Sequence, residues 1–121
     1  MAIADIDLDG DVDVLAGEVI LVNDGTGTLT IQRDGEIGAA KDDGMIMTVL
    51  MGDLDSDGYP DAVILRRMCV SCAVEGVSGV YRNKGEGITS NGAFTKVVGS
   101  VIGAIQADAM GGTLGDYDGD G

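Results

Sequence analysis

The sequence predicts an all-β protein built from a repeated unit of about four short, meandering antiparallel strands. Three observations carry this. Apolar residues make up 45% of the chain and fall in short runs rich in Val, Ile and Leu, the pattern of strands. Glycine accounts for 21 of 121 residues against a single proline, which implies many tight turns. No segment carries an amphipathic helical period over about 11 residues or more.

The unit repeats. Asp5-Ile6-Asp7-Leu8-Asp9-Gly10-Asp11-Val12-Asp13 and Asp53-Leu54-Asp55-Ser56-Asp57-Gly58-Tyr59-Pro60-Asp61 share aspartates at positions 1, 3, 5 and 9 and a glycine at 6. Their first residues are 48 apart. Asp116-Tyr117-Asp118-Gly119-Asp120-Gly121 starts a third copy. A second landmark recurs in step: Leu21-Val22-Asn23-Asp24-Gly25 matches Tyr81-Arg82-Asn83-Lys84-Gly85. The larger spacing in the second unit is an insertion around Met68 to Gly79, which holds both cysteines.

Taken in order, Met1 to Ala4 is the end of a strand entering the first loop, and Asp13 to Ala16 leaves it. Val19 to Val22, an Asn-Asp-Gly turn and Leu29 to Arg33 follow. Asp34 to Gly44 is a polar connection. Met45 to Met51 delivers the second loop, Ala62 to Arg66 leaves it, and Val77 to Arg82 and Ala93 to Val98 complete that unit. Ala109 to Gly115 is expected as the strand that delivers the third loop. The repeats therefore divide as 1–44, 45–107 and 108–121. The chain begins inside one motif and ends inside another, as expected of a piece of a longer protein.

Charge is concentrated in the loops. The chain holds 21 acidic and 7 basic residues, a net −14, and 12 of the acidic residues lie in the three aspartate clusters. Carboxylates packed this tightly repel unless a cation sits among them. A negative surface also repels phosphates, which disfavours a nucleic-acid partner. No apolar run approaches the roughly 18 residues of a membrane span.

Calcium is a hard cation that takes oxygen ligands, and alternate side chains of a tightly curled loop can all point inward. The expected ligands are Asp5, Asp7, Asp9 and Asp13 in the first loop and Asp53, Asp55, Asp57 and Asp61 in the second. Position 7, Asp11 or Tyr59, would add a backbone carbonyl. Asp116, Asp118 and Asp120 form an incomplete set expected to bind poorly. The loop is not a helical calcium hand, which needs a glutamate at position 12, where Ala16 and Ile64 stand. Magnesium prefers to keep several waters and fits less well. Without a position-12 carboxylate, affinity is expected at the weak extracellular end, roughly 10⁻⁴–10⁻³ M. The alternative is a solvated turn that only makes a corner.

These loops and the asparagine-glycine turn resemble the FG-GAP and VCBS repeats of integrin α-subunits and of bacterial and algal surface proteins. The resemblance implies a partial β-propeller of about two four-stranded antiparallel blades, with calcium loops between first and second strands. Leu29 stands where that family commonly has phenylalanine, and its Phe-Gly and Gly-Ala-Pro signatures are not cleanly present. A propeller closes with about 4–8 blades. Two blades leave exposed strand edges, so self-association through them is a further expectation. The resemblance implies a non-enzymatic, calcium-stabilised adhesion or ligand-binding repeat at the cell surface or outside the cell, with a protein or glycan partner. The alternatives are a non-catalytic accessory part of a secreted polysaccharide lyase or phospholipase, and a small calcium binder that assembles from several copies.

Other features read more plainly. Cys69 and Cys72 are either a local disulfide in an inserted hairpin loop or two free thiols, with intermolecular metal or redox use as a third reading. Arg66 and Arg67 read as solvated surface, and Met45, Met47 and Met51 as core filler. With no histidine and no phosphate loop, the chain offers no Ser/His/Asp set and no nucleotide cradle.

Overall fold

The computed structural model describes residues 1–33, 37, 45–67, 78–88, 93–104, 110–116 and 118–119. It is all-β, with two four-stranded antiparallel sheets, neither closed on itself. The first holds β1 (Ala2–Ala4), β2 (Asp13–Ala16), β3 (Val19–Asn23) and β4 (Leu29–Arg33). The second holds β5 (Met45–Gly52), β6 (Asp61–Arg67), β7 (Gly79–Asn83) and β8 (Phe94–Lys96). Each sheet runs in simple chain order, so every connection joins neighbouring strands. A helical turn, α1 (Val101–Ala104), follows the second sheet.

Pairing register fixes which side chains share a face, because residues opposite one another across an antiparallel pair point the same way. Ala2, Leu15 and Ile20 form one cross-strand row of the first sheet. Met51, Ala62 and Tyr81 form a row of the second. Both rows join one hydrophobic core with Ile6, Val49, Ile64 and Phe94. These are the inner faces, and the sheets are held together by them. Fully burying a residue such as Ile20 or Phe94 is worth about 1.5–3 kcal/mol.

The two inner faces are not equivalent by sequence. Aligning the repeats on their loops and asparagines matches Met51, Ala62 and Tyr81 with Ile3, Val14 and Leu21, which lie on the outer face of the first sheet. The sheets therefore stack in the same sense, inner face of the first onto the repeat-equivalent of its own outer face. On the far side of the second sheet, Gly112 lies so close to Leu65 that an added Cβ would sit 2.7 Å from it, and Leu114 lies against Gly52.

Several expectations need correction. Residues 110–116 form no strand, although Ala109 to Gly115 read as one; they pack as irregular chain, in part because glycine at 111, 112 and 115 supplies no side chains to fill a pleat. Arg66 is buried, not solvated, with its backbone N–H donating to Ser78 Oγ at 3.0 Å; Arg67 is exposed. Met45 is exposed rather than core filler, because it stands at the outer end of β5 opposite the exposed Arg67, whereas Met51 packs on the core. Cys69 and Cys72 lie outside the described residues.

Candidate metal centre

The two aspartate loops have one backbone shape. Position 4 takes a left-handed conformation in both, Leu8 at φ 60° and Ser56 at φ 61°, although neither is glycine. Position 6 does so as glycine, Gly10 at φ 99° and Gly58 at φ 93°. This double reversal curls the loop and brings the carboxylates of positions 1 and 3 together. In the third copy position 4 is Gly119, again left-handed at φ 76°, and its N–H donates to Asp116 Oδ1 at 2.7 Å.

The position-1 carboxylate ties the curl. Asp5 Oδ2 accepts the Gly10 N–H at 3.0 Å, and Asp53 Oδ2 accepts that of Gly58 at 2.8 Å. Position 5 caps position 7: Asp9 Oδ1 accepts the Asp11 N–H, and Asp57 Oδ1 that of Tyr59, both at 2.9 Å.

Carboxylate oxygens converge in each loop. In the first, Asp5, Asp7 and Asp13 offer oxygens within 4.8 Å of one another; in the second, Asp53, Asp55 and Asp57 do so. Asp9 is exposed and outside the first group, and Asp61 is outside the second. The first cluster carries a sharper signature. Asp5 Oδ1 and Asp7 Oδ1 are buried, and no hydrogen-bond donor reaches them. Burial pushes the Asp7 carboxyl upward, and repulsion from Asp13, Asp9 and Asp5 adds to it, partly offset by the Asp9 backbone N–H. Two buried carboxylate oxygens without donors suit a cation that supplies what the protein does not. The second cluster has a cation of its own: Arg82 forms an ion pair with Asp55 Oδ2. Its counterpart in the first repeat is Val22.

Position 9 has another task as well. Asp13 is buried and spends both oxygens on backbone donors, Oδ2 on Ile6 N–H at 2.9 Å and Oδ1 on Asn23 N–H at 2.9 Å. Asp61 repeats this with Leu54 N–H at 3.1 Å and Asn83 N–H at 2.8 Å. Burial raises the Asp61 carboxyl, the Asn83 and Leu54 N–H groups pull it back, and repulsion from Asp55 and Asp57 adds to the rise. Asn23 and Asn83 complete the frame, accepting the Gly25 and Gly85 N–H at 3.2 and 3.0 Å. The asparagine amide of Asn83 also donates to the Ile6 carbonyl at 2.8 Å, tying the second repeat to the first loop.

Position 7 is placed by its side chain. A Cβ on Gly25 would collide with the Asp11 carboxylate, and one on Gly85 would meet the Tyr59 ring at 2.7 Å. Of the third set, Asp116 and Asp118 are exposed, and Asp120 lies outside the described residues. Sequence reasoning did not find the Asp13–Asn23 and Asp61–Asn83 links. Their signal is present in the repeat, since a buried-strand aspartate and a turn asparagine recur together in both units.

Comparison with protein-family models, with curated proteins and with solved structures returned no match. What stands is the class defined by the fold: an all-β chain of two four-stranded antiparallel sheets, each with an aspartate loop between its first and second strands.

Proposed function

We propose that the chain is a calcium-binding structural repeat pair of a β-propeller, each sheet one blade, serving adhesion or ligand binding at the cell surface or outside the cell. The observation that carries this reading is the pair of buried, donor-free oxygens on Asp5 and Asp7 within a loop whose backbone recurs at Asp53. Calcium would be held by Asp5, Asp7 and Asp13 in one loop and by Asp53, Asp55 and Asp57 in the other. It neutralises each cluster and pins the connection between first and second strands. Asp13 and Asp61 then act as the joint between that loop and the asparagine turn. The role is structural and non-enzymatic, and a protein or glycan is contacted through other loops of the complete assembly.

Calorimetric titration with calcium tests this. Two sites are expected in the chain, and one after Asp55→Ala with Asp57→Ala. Absence of binding heat at both sites, together with no effect of calcium on stability, overturns the reading.

A further inference from the structure

Asn83 is buried, and each polar atom of its side chain is engaged. Its Oδ1 accepts the Gly85 N–H at 3.0 Å, and its Nδ2 donates to the Pro60 carbonyl at 3.3 Å and to the Ile6 carbonyl at 2.8 Å. Two of these bonds recur in the first repeat, where Asn23 accepts the Gly25 N–H and donates to the Val12 carbonyl at 3.3 Å. They join turn to loop within each repeat. The bond to Ile6 is additional and shorter, and it spans 77 residues into the other repeat.

Ile6 stands between Asp5 and Asp7, whose Oδ1 atoms are buried with no donor. A peptide unit is planar, so holding one of its polar atoms constrains the Cα atoms on either side. The plane between Asp5 and Ile6 is held at the Ile6 N–H, which donates to Asp13 Oδ2 at 2.9 Å. The plane between Ile6 and Asp7 is held at the Ile6 carbonyl by Asn83. The Ile6 side chain is buried in the core and fixes the residue between the two planes. We infer that Asn83 is a positioning residue for the first calcium site: it sets Asp7 against Asp5, so that this site is built from both repeats. The inference rests on the calcium reading of the loops.

The second loop lacks that bond. There the plane between Asp53 and Leu54 is held by Asp61 Oδ2, which accepts the Leu54 N–H at 3.1 Å. Among the described residues none donates to the Leu54 carbonyl, and Leu54 is 45% exposed where Ile6 is 1% exposed. Asp55, which follows it, is held by Arg82 instead. The first site should therefore be the tighter of the two. Residues that orient a metal ligand without touching the metal are typically worth about 10–100-fold in affinity, and Asn83, which acts through the backbone, belongs at the lower end.

Calorimetric titration of the full chain with calcium, one loop at a time, tests it. Asp55→Ala with Asp57→Ala leaves the first loop to be read, and Asp7→Asn leaves the second. Adding Asn83→Ala should weaken the first-loop site by about tenfold and the second-loop site by less. An asparagine that serves only its own repeat gives the opposite order, because its bond to the Pro60 carbonyl lies in the second loop. A loss at the second loop equal to or larger than that at the first overturns the inference. A second measurement leaves Asn83 in place and so does not depend on the folding of that variant. In the Asp55→Ala, Asp57→Ala chain, calcium entering the first loop should shift the side-chain amide resonances of Asn83, and resonances that stay still while calcium binds overturn the inference. Absence of calcium binding at both loops with Asn83 in place fails the calcium reading itself and the inference with it. Binding at both loops with the wrong order of loss fails the inference alone.

Discussion

The carboxylate of Asp61 accepts the backbone N–H of Asn83 at 2.8 Å across 22 residues of chain, and Asp13 holds Asn23 in the same way at 2.9 Å. In each repeat this bond closes a frame of loop, strand and turn. The aspartates at position 9 are therefore needed by the fold whether or not a cation is present.

Asp61→Ala removes a buried acceptor from two N–H groups, those of Leu54 and Asn83. The expected loss is about 3 kcal/mol or more, in calcium and in calcium-stripped buffer alike. Asp57→Ala removes an exposed carboxylate and should cost less than about 1 kcal/mol without calcium, and more with it. Urea unfolding of both variants in both conditions checks the contrast.

Arg82 competes with any cation at the second loop through its ion pair with Asp55. Arg82→Val installs the residue that the first repeat carries at this position. Exposed ion pairs are worth about 0.2–1 kcal/mol, so calcium affinity at the second site should rise by up to roughly fivefold. The first site should not change. Calorimetry in an Asp7→Asn background, which weakens the first loop, isolates the effect.

The response to pH should invert with calcium. Asp7 and Asp61 are raised in the folded state, so in calcium-stripped protein the fold retains protons that the unfolded chain has released. Stability then falls as pH rises through the window from the ordinary aspartate value of about 3.9 up to the raised values, and acidification from neutral restores it. Asp24 is shifted the other way, held low first by the Thr26 hydroxyl and then by the Thr26 and Thr28 N–H groups. Its contribution is present above the ordinary value and is lost as pH drops below it. Calcium-stripped protein should accordingly be most stable on the acid side of neutral. Calcium-loaded protein should lose its added stability as protons displace the metal. Thermal unfolding against pH, with and without calcium, reads both curves.

Gly85 is left-handed at φ 66° and lies beneath the Tyr59 ring. Gly85→Ala adds backbone strain and a clash, with an expected cost of about 1–3 kcal/mol. Tyr59→Ala should remove the clash but not the strain, so the double variant recovers part of the loss. A double-mutant cycle by urea unfolding separates the two.

Much of the fold was legible in the sequence, for a physical reason. Short Val/Ile/Leu runs between glycine-rich turns have few ways to pack, and β2 and β4 fall where the residues place them. The convergence of the aspartates at positions 1 and 3 was legible because tight carboxylate spacing has few uses; position 5 joins them only as Asp57, and Asp9 stays outside its group. The double role of Asp13 and Asp61 was not, since spacing says nothing about which backbone N–H comes within reach once strands pair. Arg66 was misread because two adjacent basic residues look solvated until the pleat turns one of them inward. The segment 110–116 was misread because its apolar residues suggested a strand, while its glycines allowed another path.

The most direct measurement is thermal unfolding of the unaltered chain at increasing calcium, beginning from calcium-stripped protein. Binding that favours the folded state should raise the midpoint steadily, by an amount equivalent to about 2.7 kcal/mol per site at a hundredfold excess over the dissociation constant. A midpoint that stays fixed from zero to about 10 mM calcium, well above the roughly 10⁻⁴–10⁻³ M affinity expected, would contradict the account.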